Sequence, residues 1–219
     1  VIERVSFAKK IDEAIVLTTM MRDDLEIVKR CTERNIRVYC GSEDDVLDRY
    51  YQAAKILKCK HIVRITADCP LIDPDVIDIV VNQHKSLEAD YTSNIMVETF
   101  PDGLDVEVFT YSALQKAWEC AMKKSEREHV TLFIRNNPDQ FKIVSVENDE
   151  NWGSFRWTLD EEKDYTFITN VYNELKNKKE FNRFDVYRLI KENVFLTNIN
   201  QGIIRNEGLL KSLKEEEGK

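Results

Sequence analysis

Glycine and proline are scarce in this sequence, six and four residues in 219. That scarcity excludes a collagenous or linker-like chain. No G-x-G-x-x-G or G-x-x-x-x-G-K run occurs, so the two common glycine-rich phosphate loops are missing as well. Excess positive charge is also lacking. Lys and Arg number 32 against 40 Asp and Glu, for a net charge of −8 and a pI near 5.1. The basic face of a nucleic-acid binder is therefore not expected. An anionic small substrate would need a metal ion or a helix N-terminus to offset the protein's own charge. No apolar run approaches the roughly 20 residues of a membrane span, and no membrane partner is expected. The five cysteines (Cys31, Cys40, Cys59, Cys69 and Cys120) are odd in number and hold no C-x-x-C. They read as reduced thiols of a cytoplasmic protein. Cys59, His61 and Cys69 have no recognised zinc spacing.

What is present is a globular balance, 42% apolar and 33% charged, long enough for one domain over residues 1–219. Short apolar runs alternate with helical patterns through the first half. Ala14–Leu17, Arg37–Cys40 and His61–Ile65 read as strands. Between them, Asp23 or Asp24 and then Asp44 or Asp45 can cap helices with apolar stripes. Asp73-Pro74 opens a third helix, with Asp as cap and Pro in the first position. Strands that alternate with amphipathic helices predict an α/β fold with a parallel sheet. In the second half, ADYTSN ends a strand, and PDGLDVEVF is a turn followed by alternating residues. Ser112–Met122 and Glu126–Asn136 read as helices, Phe141–Val146 and Phe155–Asp160 as strands, and Asp164–Leu175 and Asp185–Lys191 as helices. The tail EGLLKSLKEEEGK reads as a short charged helix that frays or docks on a partner.

Four stretches can carry chemistry. Ligands of open α/β sheets bind beyond the carboxyl ends of the strands. Asp68 in RITADCPLIDP and Asp160 in FRWTLD both stand at such ends. Two carboxylates meeting there suit Mg²⁺, while taken singly each can simply cap a following helix. In GSEDDVLDR, Gly41 and Ser42 lead from a strand to a helix N-terminus and can hold a base or ribose edge, or be an ordinary loop. Pro101-Asp102-Gly103 is a turn by its chemistry. Beyond it, Asp105 and Glu107 share one strand face that can hydrogen-bond sugar hydroxyls. Arg127, Glu128 and His129 start a helix, where Arg can grip a carboxylate or lie solvated.

Six blocks occur in order, GSEDDVLDRYYQAA, RITADCPLIDP, ADYTSN, FPDGLDVEVF, REHVTLFIRN and RWTLDEEKDY. Together they resemble the spore-coat-polysaccharide-biosynthesis type of cytidylyltransferase, a branch of the acylneuraminate and deoxy-octulosonate cytidylyltransferases. The closing IRNEGLLKSLKEE is similar to tails of that branch. The resemblance implies a Rossmann-like nucleotidyltransferase fold of the glycosyltransferase-A type, a mixed, mostly parallel sheet flanked by helices. It implies CMP transfer from CTP to a sugar acid in surface-polysaccharide biosynthesis, Mg²⁺ as cofactor, and a homodimer. It further implies that Asp68 and Asp160 are the metal ligands. Gly41 and Ser42 would lie near the nucleotide, and Asp102, Glu107, Arg127, Glu128 and His129 near the acceptor.

The chain departs from the family pattern at its start. VIERVSFAKK reads as the helix that follows a strand and a basic A-R-x-x-S-x-R-L-P-G-K loop. The expectation is therefore an N-terminally truncated chain with weakened CTP binding. Leu132 also stands where the family often has Pro. Two rival readings are a metal-dependent glycosyltransferase of the same fold and a non-catalytic member that binds sugar or a partner.

Overall fold

The computed structural model describes residues 1–178, 180–203, 205 and 207–217, with Glu207 and Glu217 by backbone alone. Ile204, Asn206, Gly218 and Lys219 of the tail lie outside the described residues. The elements in order are α1 (Ile2–Val5), β1 (Ile15–Thr19), α2 (Leu25–Glu33), β2 (Arg37–Gly41), α3 (Val46–Leu57), β3 (His61–Arg64), α4 (Pro74–Ser86), β4 (Tyr91–Ser93) and β5 (Glu107–Thr110). They continue with α5 (Tyr111–Cys120), α6 (Lys124–Glu128), α7 (Leu132–Asn136), β6 (Ile143–Ser145), α8 (Glu162–Glu174), α9 (Arg183–Glu192), α10 (Val194–Asn198) and α11 (Glu207–Glu217).

The strands form two sheets. β1 and β2 pair in parallel, from Ile15 opposite Arg37 to Thr19 opposite Gly41. The other sheet has the order β3-β5-β4-β6. There β5 runs antiparallel to both β3 and β4, while β6 runs parallel to β4. The expected α/β architecture is present, with β5 making the larger sheet mixed. Successive residues of β5 face opposite layers, as the two-residue strand period requires. Val108 joins one core cluster with Val76, Ile77 and Val80 of α4 and Phe167 and Val171 of α8. Phe109 joins the other, with Leu47, Tyr51 and Ala54 of α3 and Leu114 and Ala117 of α5. Helices thus cover both faces of the larger sheet, each through an apolar stripe.

The local signals explain where helices begin. Asp45 accepts the Asp48 N–H (2.8 Å) to cap α3, and Asp73 accepts the Asp75 N–H (2.8 Å) ahead of Pro74 to cap α4. Two expectations are corrected. Glu126–Asn136 is not one helix, because Val130 takes a left-handed conformation (φ 49°) between α6 and α7. Phe155–Asp160 is not a strand. Its backbone bonds are divided between two other loops, leaving a single isolated bridge, Asp102 to Arg156. The tail helix α11 packs on its own chain, with Ser125 N–H and Oγ donating to Glu216.

Candidate active site

Three loops are tied together beyond the strand ends. The Trp157 N–H donates to Asp102 O (2.6 Å) and the Asp102 N–H to Phe155 O (3.0 Å), so the Pro101–Gly103 turn is zipped to the FRWTLD segment. That segment then crosses to the loop after β3, where the Leu159 N–H and the Thr158 hydroxyl both reach Asp68 O (2.8 and 3.1 Å). Gly103 makes the crossing possible. Its φ is +100°, and a Cβ there would lie 2.5 Å from Thr158 N and from the Trp157 carbonyl carbon. Only glycine allows both that conformation and that backbone approach.

The result is a cleft of about 910 Å³ with Asp68, Asp102, Asp105 and Asp160 along it. Neither Asp68 nor Asp160 caps a helix. Asp73 caps α4, and the backbone ahead of α8 is capped by Glu161 with Asp164. The helix-cap reading of both residues therefore fails, and their carboxylates are left for another role. Asp68 Oδ1 accepts from Thr66 Oγ1 and Cys69 Sγ, while its Oδ2 has no donor among the described residues. Asp160 Oδ2 accepts from Arg156 Nη2 (2.9 Å) and Thr158 Oγ1 (3.3 Å), and its Oδ1 has no such donor. Each carboxylate keeps one hard oxygen open. Mg²⁺ takes one or two carboxylates and completes its shell with water and phosphate oxygens, so this donor set fits it.

Arg156 is the hub of the acidic wall, and sequence reasoning missed it. Its guanidinium meets Asp102 (3.0 Å), Asp160 (2.9 Å) and Asp164 (2.8 Å), with Asn200 bonded to Asp164 (2.8 Å). Burial opposes the Arg156 charge, yet the carboxylates around it hold its pKa above the usual value. Asp164 is held low, the hydrogen bonds from Arg156 and Asn200 outweighing its burial. The available signal was spacing, with Arg156 four and eight residues before Asp160 and Asp164. Arg205 was missed too. It donates to Asp105 Oδ1 (2.9 Å) and Phe100 O (3.2 Å). Burial pushes the Asp105 carboxyl up to about 7, with Arg205 opposing the shift.

The remaining expected residues divide. His129 lines the cleft, and its Nε2 lies 3.1 Å from Ser212 Oγ of α11, which also donates to Glu128 Oε2. Glu107 lines the cleft, but its carboxylate is used internally. Oε2 meets Arg64, and Oε1 accepts from Tyr91 OH (2.7 Å) and Thr131 Oγ1. Gly41 and Ser42 lie apart from the cleft walls, with Ser42 Oγ accepting the Asp45 N–H (3.1 Å). Arg127 also lies off the cleft. Its guanidinium grips Asp45 Oδ2 (2.9 and 2.5 Å) and Trp118 O (2.7 Å), joining α6 to α3 and α5. Nε, Nη1 and Nη2 of that fork are each engaged by an acceptor of the chain itself, away from the residues that line the cleft.

The cytidylyltransferase family model matches residues 1–200. The chain belongs to the cytidylyltransferase family. It is 38% identical over 209 residues to protein MJ1063 of Methanocaldococcus jannaschii, covering 92% of this chain and 82% of that one. It is 28% identical over 190 residues to the spore coat polysaccharide biosynthesis protein SpsF of Bacillus subtilis, covering 85% and 78%. A solved cytidylyltransferase from Leptospira borgpetersenii superposes with TM-score 0.86 at 31% identity, covering 93% and 86%. The fold is also that of a CMP:2-keto-3-deoxy-manno-octonic acid synthetase solved with CTP, at TM-score 0.53 and 9% identity, covering 81% and 86%. The Rossmann-like nucleotidyltransferase architecture implied by the six blocks is thus the architecture of this chain, and no helix among the described residues is long and apolar enough to cross a membrane.

Proposed function

We propose that this cytidylyltransferase moves CMP from CTP to a sugar acid that enters a surface polysaccharide, releasing pyrophosphate. The observation that carries the reading is the joining of the Asp68 and Asp160 loops through Thr158, which leaves each carboxylate one open oxygen. The name of SpsF supports the polysaccharide context. Asp68 and Asp160 would hold Mg²⁺, which when bound neutralises charge on phosphate oxygens.

The chain's own residues provide positioning. Thr158 and the Leu159 N–H fix the Asp68 loop against the Asp160 loop. Arg156 holds the Asp160 carboxylate through its Oδ2, favours the charged form of Asp164, and opposes the burial that raises the Asp102 pKa. Phosphoryl and nucleotidyl transfers need such positioning and charge neutralisation more than covalent catalysis. Asp105, half-shielded at the wall and held by Arg205, is placed to accept a hydrogen bond from an acceptor hydroxyl.

The test offers each of the four nucleoside triphosphates with a panel of sugar acids and sugar 1-phosphates, reading pyrophosphate release. CTP with a sugar acid is the expected productive pair. Preference for a sugar 1-phosphate, or for another nucleotide, would replace this reading.

A further inference from the structure

The cations of the cleft are unevenly committed. Arg64 is paired with Glu107 and Arg156 with three aspartates, while Arg205, outside the lining, holds Asp105. Arg135 of α7 is different. It lines the cleft, its Nε is buried without a hydrogen-bond partner as that of Arg64 is, but unlike Arg64 it forms no ion pair with a carboxylate among the described residues. Glu107 is the carboxylate that both Arg64 and Arg135 feel, and Arg64 takes it. One guanidinium is left in excess on that wall.

Helix α11 adds to the excess. It is anchored along one stripe, with Ser212 on Glu128 and His129 and Glu216 on Ser125. The neighbouring stripe, Lys211 and Lys214, three residues apart and so on one face, lines the cleft. Both lysines are exposed, and no carboxylate lies within ion-pair distance of either among the described residues. Glu215 lines the same mouth, so the cleft-lining residues of α11 sum to one positive charge, although the helix as a whole carries more glutamates than lysines. Asp68, Asp102, Asp105 and Asp160 line the same cleft and would repel a bare anion beside them. An anionic group in the cleft is therefore favoured beside the uncommitted cations and disfavoured beside the aspartates unless a metal ion intervenes.

We propose that Arg135, Lys211 and Lys214 form a carboxylate-binding subsite that reads the acid group of the acceptor, and so selects sugar acids over neutral sugars. This rests on the sugar-acid reading above. It gives the expected guanidinium–carboxylate contact to Arg135, with α11 as the second half of the clamp. A fork-shaped guanidinium suits a carboxylate, and mobile ammonium groups at the rim can follow it into place.

The experiment compares 2-keto-3-deoxy-manno-octonic acid with its methyl ester, and other sugar acids with theirs, in wild type, in the double variant Lys211→Met with Lys214→Met, and in Lys211→Arg with Lys214→Arg. Both lysines are exposed, so the double variant should fold; a thermal melt checks this. In wild type the ester's KM should exceed the acid's by roughly tenfold or more, the loss expected for a charge-assisted contact. The Met pair should raise the acid's KM by a similar factor, leave the KM for CTP within about twofold, and shrink the acid–ester difference. The Arg pair should restore it. Arg135→Lys should weaken the acid in the same direction. Equal KM for acid and ester in wild type overturns the subsite. So does a rise in the CTP constant alone, which would make it a triphosphate grip, and so does an unchanged acid KM in the Met pair. If wild type releases pyrophosphate with sugar 1-phosphates but with no sugar acid, the acceptor class itself fails and the subsite falls with it. That outcome is visible in wild type before any variant is made.

Discussion

Glu107 and Asp68 line one cleft, and their carboxylates are held in opposite ways. Glu107 is 2% exposed and fully occupied by Arg64, Tyr91 and Thr131. Burial pushes against its charge, but Arg64, Arg135 and the two hydroxyls outweigh burial and hold its pKa below the usual value. Asp68, like Asp160, keeps one oxygen without a donor and faces open space. Both kinds of acid appear in the sequence as a charged residue at or near a strand end. What separates them is the number of protein donors that arrive from elsewhere in the chain. A saturated carboxylate braces the fold, and an unsaturated one is available to a ligand.

The strongest test of that contrast removes the brace. Glu107→Ala leaves the largely shielded Arg64 (19% exposed) uncompensated, and since breaking a fully buried pair by removing one partner costs about 3–5 kcal/mol, the loss here should approach about 3 kcal/mol. The chemical-denaturation midpoint should fall accordingly. A variant as stable as wild type would show that Arg64 finds another partner and that Glu107 is no brace.

The complementary substitutions are Asp68→Asn and Asp160→Asn. Each keeps shape and removes a metal-type oxygen, so the melting temperature should stay within a few degrees while turnover falls roughly a hundred- to a thousandfold, about 3–4 kcal/mol. Pyrophosphate release with excess Mg²⁺ reads the loss. Unaltered turnover in either variant would remove that carboxylate from the proposed metal site.

How far the sequence reaches can be judged on these same residues. Asp45, Asp73 and the strand–helix alternation of the first half are legible because caps and periodicity are local. Asp68 was legible as a candidate because it follows β3, whereas Asp160 was reached through a strand reading of Phe155–Asp160 that the structure corrects, and cap and ligand could not be separated at either. The deciding facts were which residue caps α4 and α8 and which donors reach each oxygen. Arg205 and the Asp102 contact of Arg156 were not legible, because the partners lie far off in sequence: Asp102 is 54 positions from Arg156, and Asp105 is 100 from Arg205. Arg135 and the α11 lysines were not legible because only the fold brings them to the cleft. The pairing of Arg127 with Asp45 was hidden for the same reason, the two lying 82 residues apart. The single-bridge course of Phe155–Asp160 was hidden too, since β-like composition does not reveal whether a ladder partner exists.

A third prediction extends the contrast to a saturated group away from the cleft. His84 is 1% exposed, its Nε2 lying 3.1 Å from His61 Nδ1 and its Nδ1 3.1 Å from Thr92 Oγ1. Burial, with His61 and Lys85 adding to it against Asp90, lowers its pKa to about 4. A folded pKa below the unfolded value of about 6.5 means that the unfolded chain binds the proton more readily. Stability from neutral His84 is therefore present above about pH 6.5 and is lost as pH falls toward 4, up to roughly 3 kcal/mol. Melts from pH 7.5 to 4.5 should show the loss in wild type and a smaller one in His84→Gln. Parallel curves would assign the acid sensitivity to carboxylates such as Asp164 and Asp185, whose pKa values are held low.

The smallest effect separates structure from binding at Arg127. Its fork holds Asp45, which also caps α3, and the Trp118 carbonyl at the end of α5. Removing it loses an ion pair whose partners are 22% and 30% exposed, so solvent screens the interaction and the cost should be about 1 kcal/mol. Arg127→Ala should lower the melting temperature by a few degrees and leave the KM for the sugar acid within about twofold. Asp45→Asn should do the same, and the two together should be less than additive, because both delete one contact. Here the comparison sharpens to a single pair of arginines. If Arg127→Ala raises the acceptor's KM tenfold while Arg135→Lys leaves it unchanged, the acid group is read from α6 and not from α7, and the guanidinium bound to Asp45 must swing into the cleft when the acceptor enters.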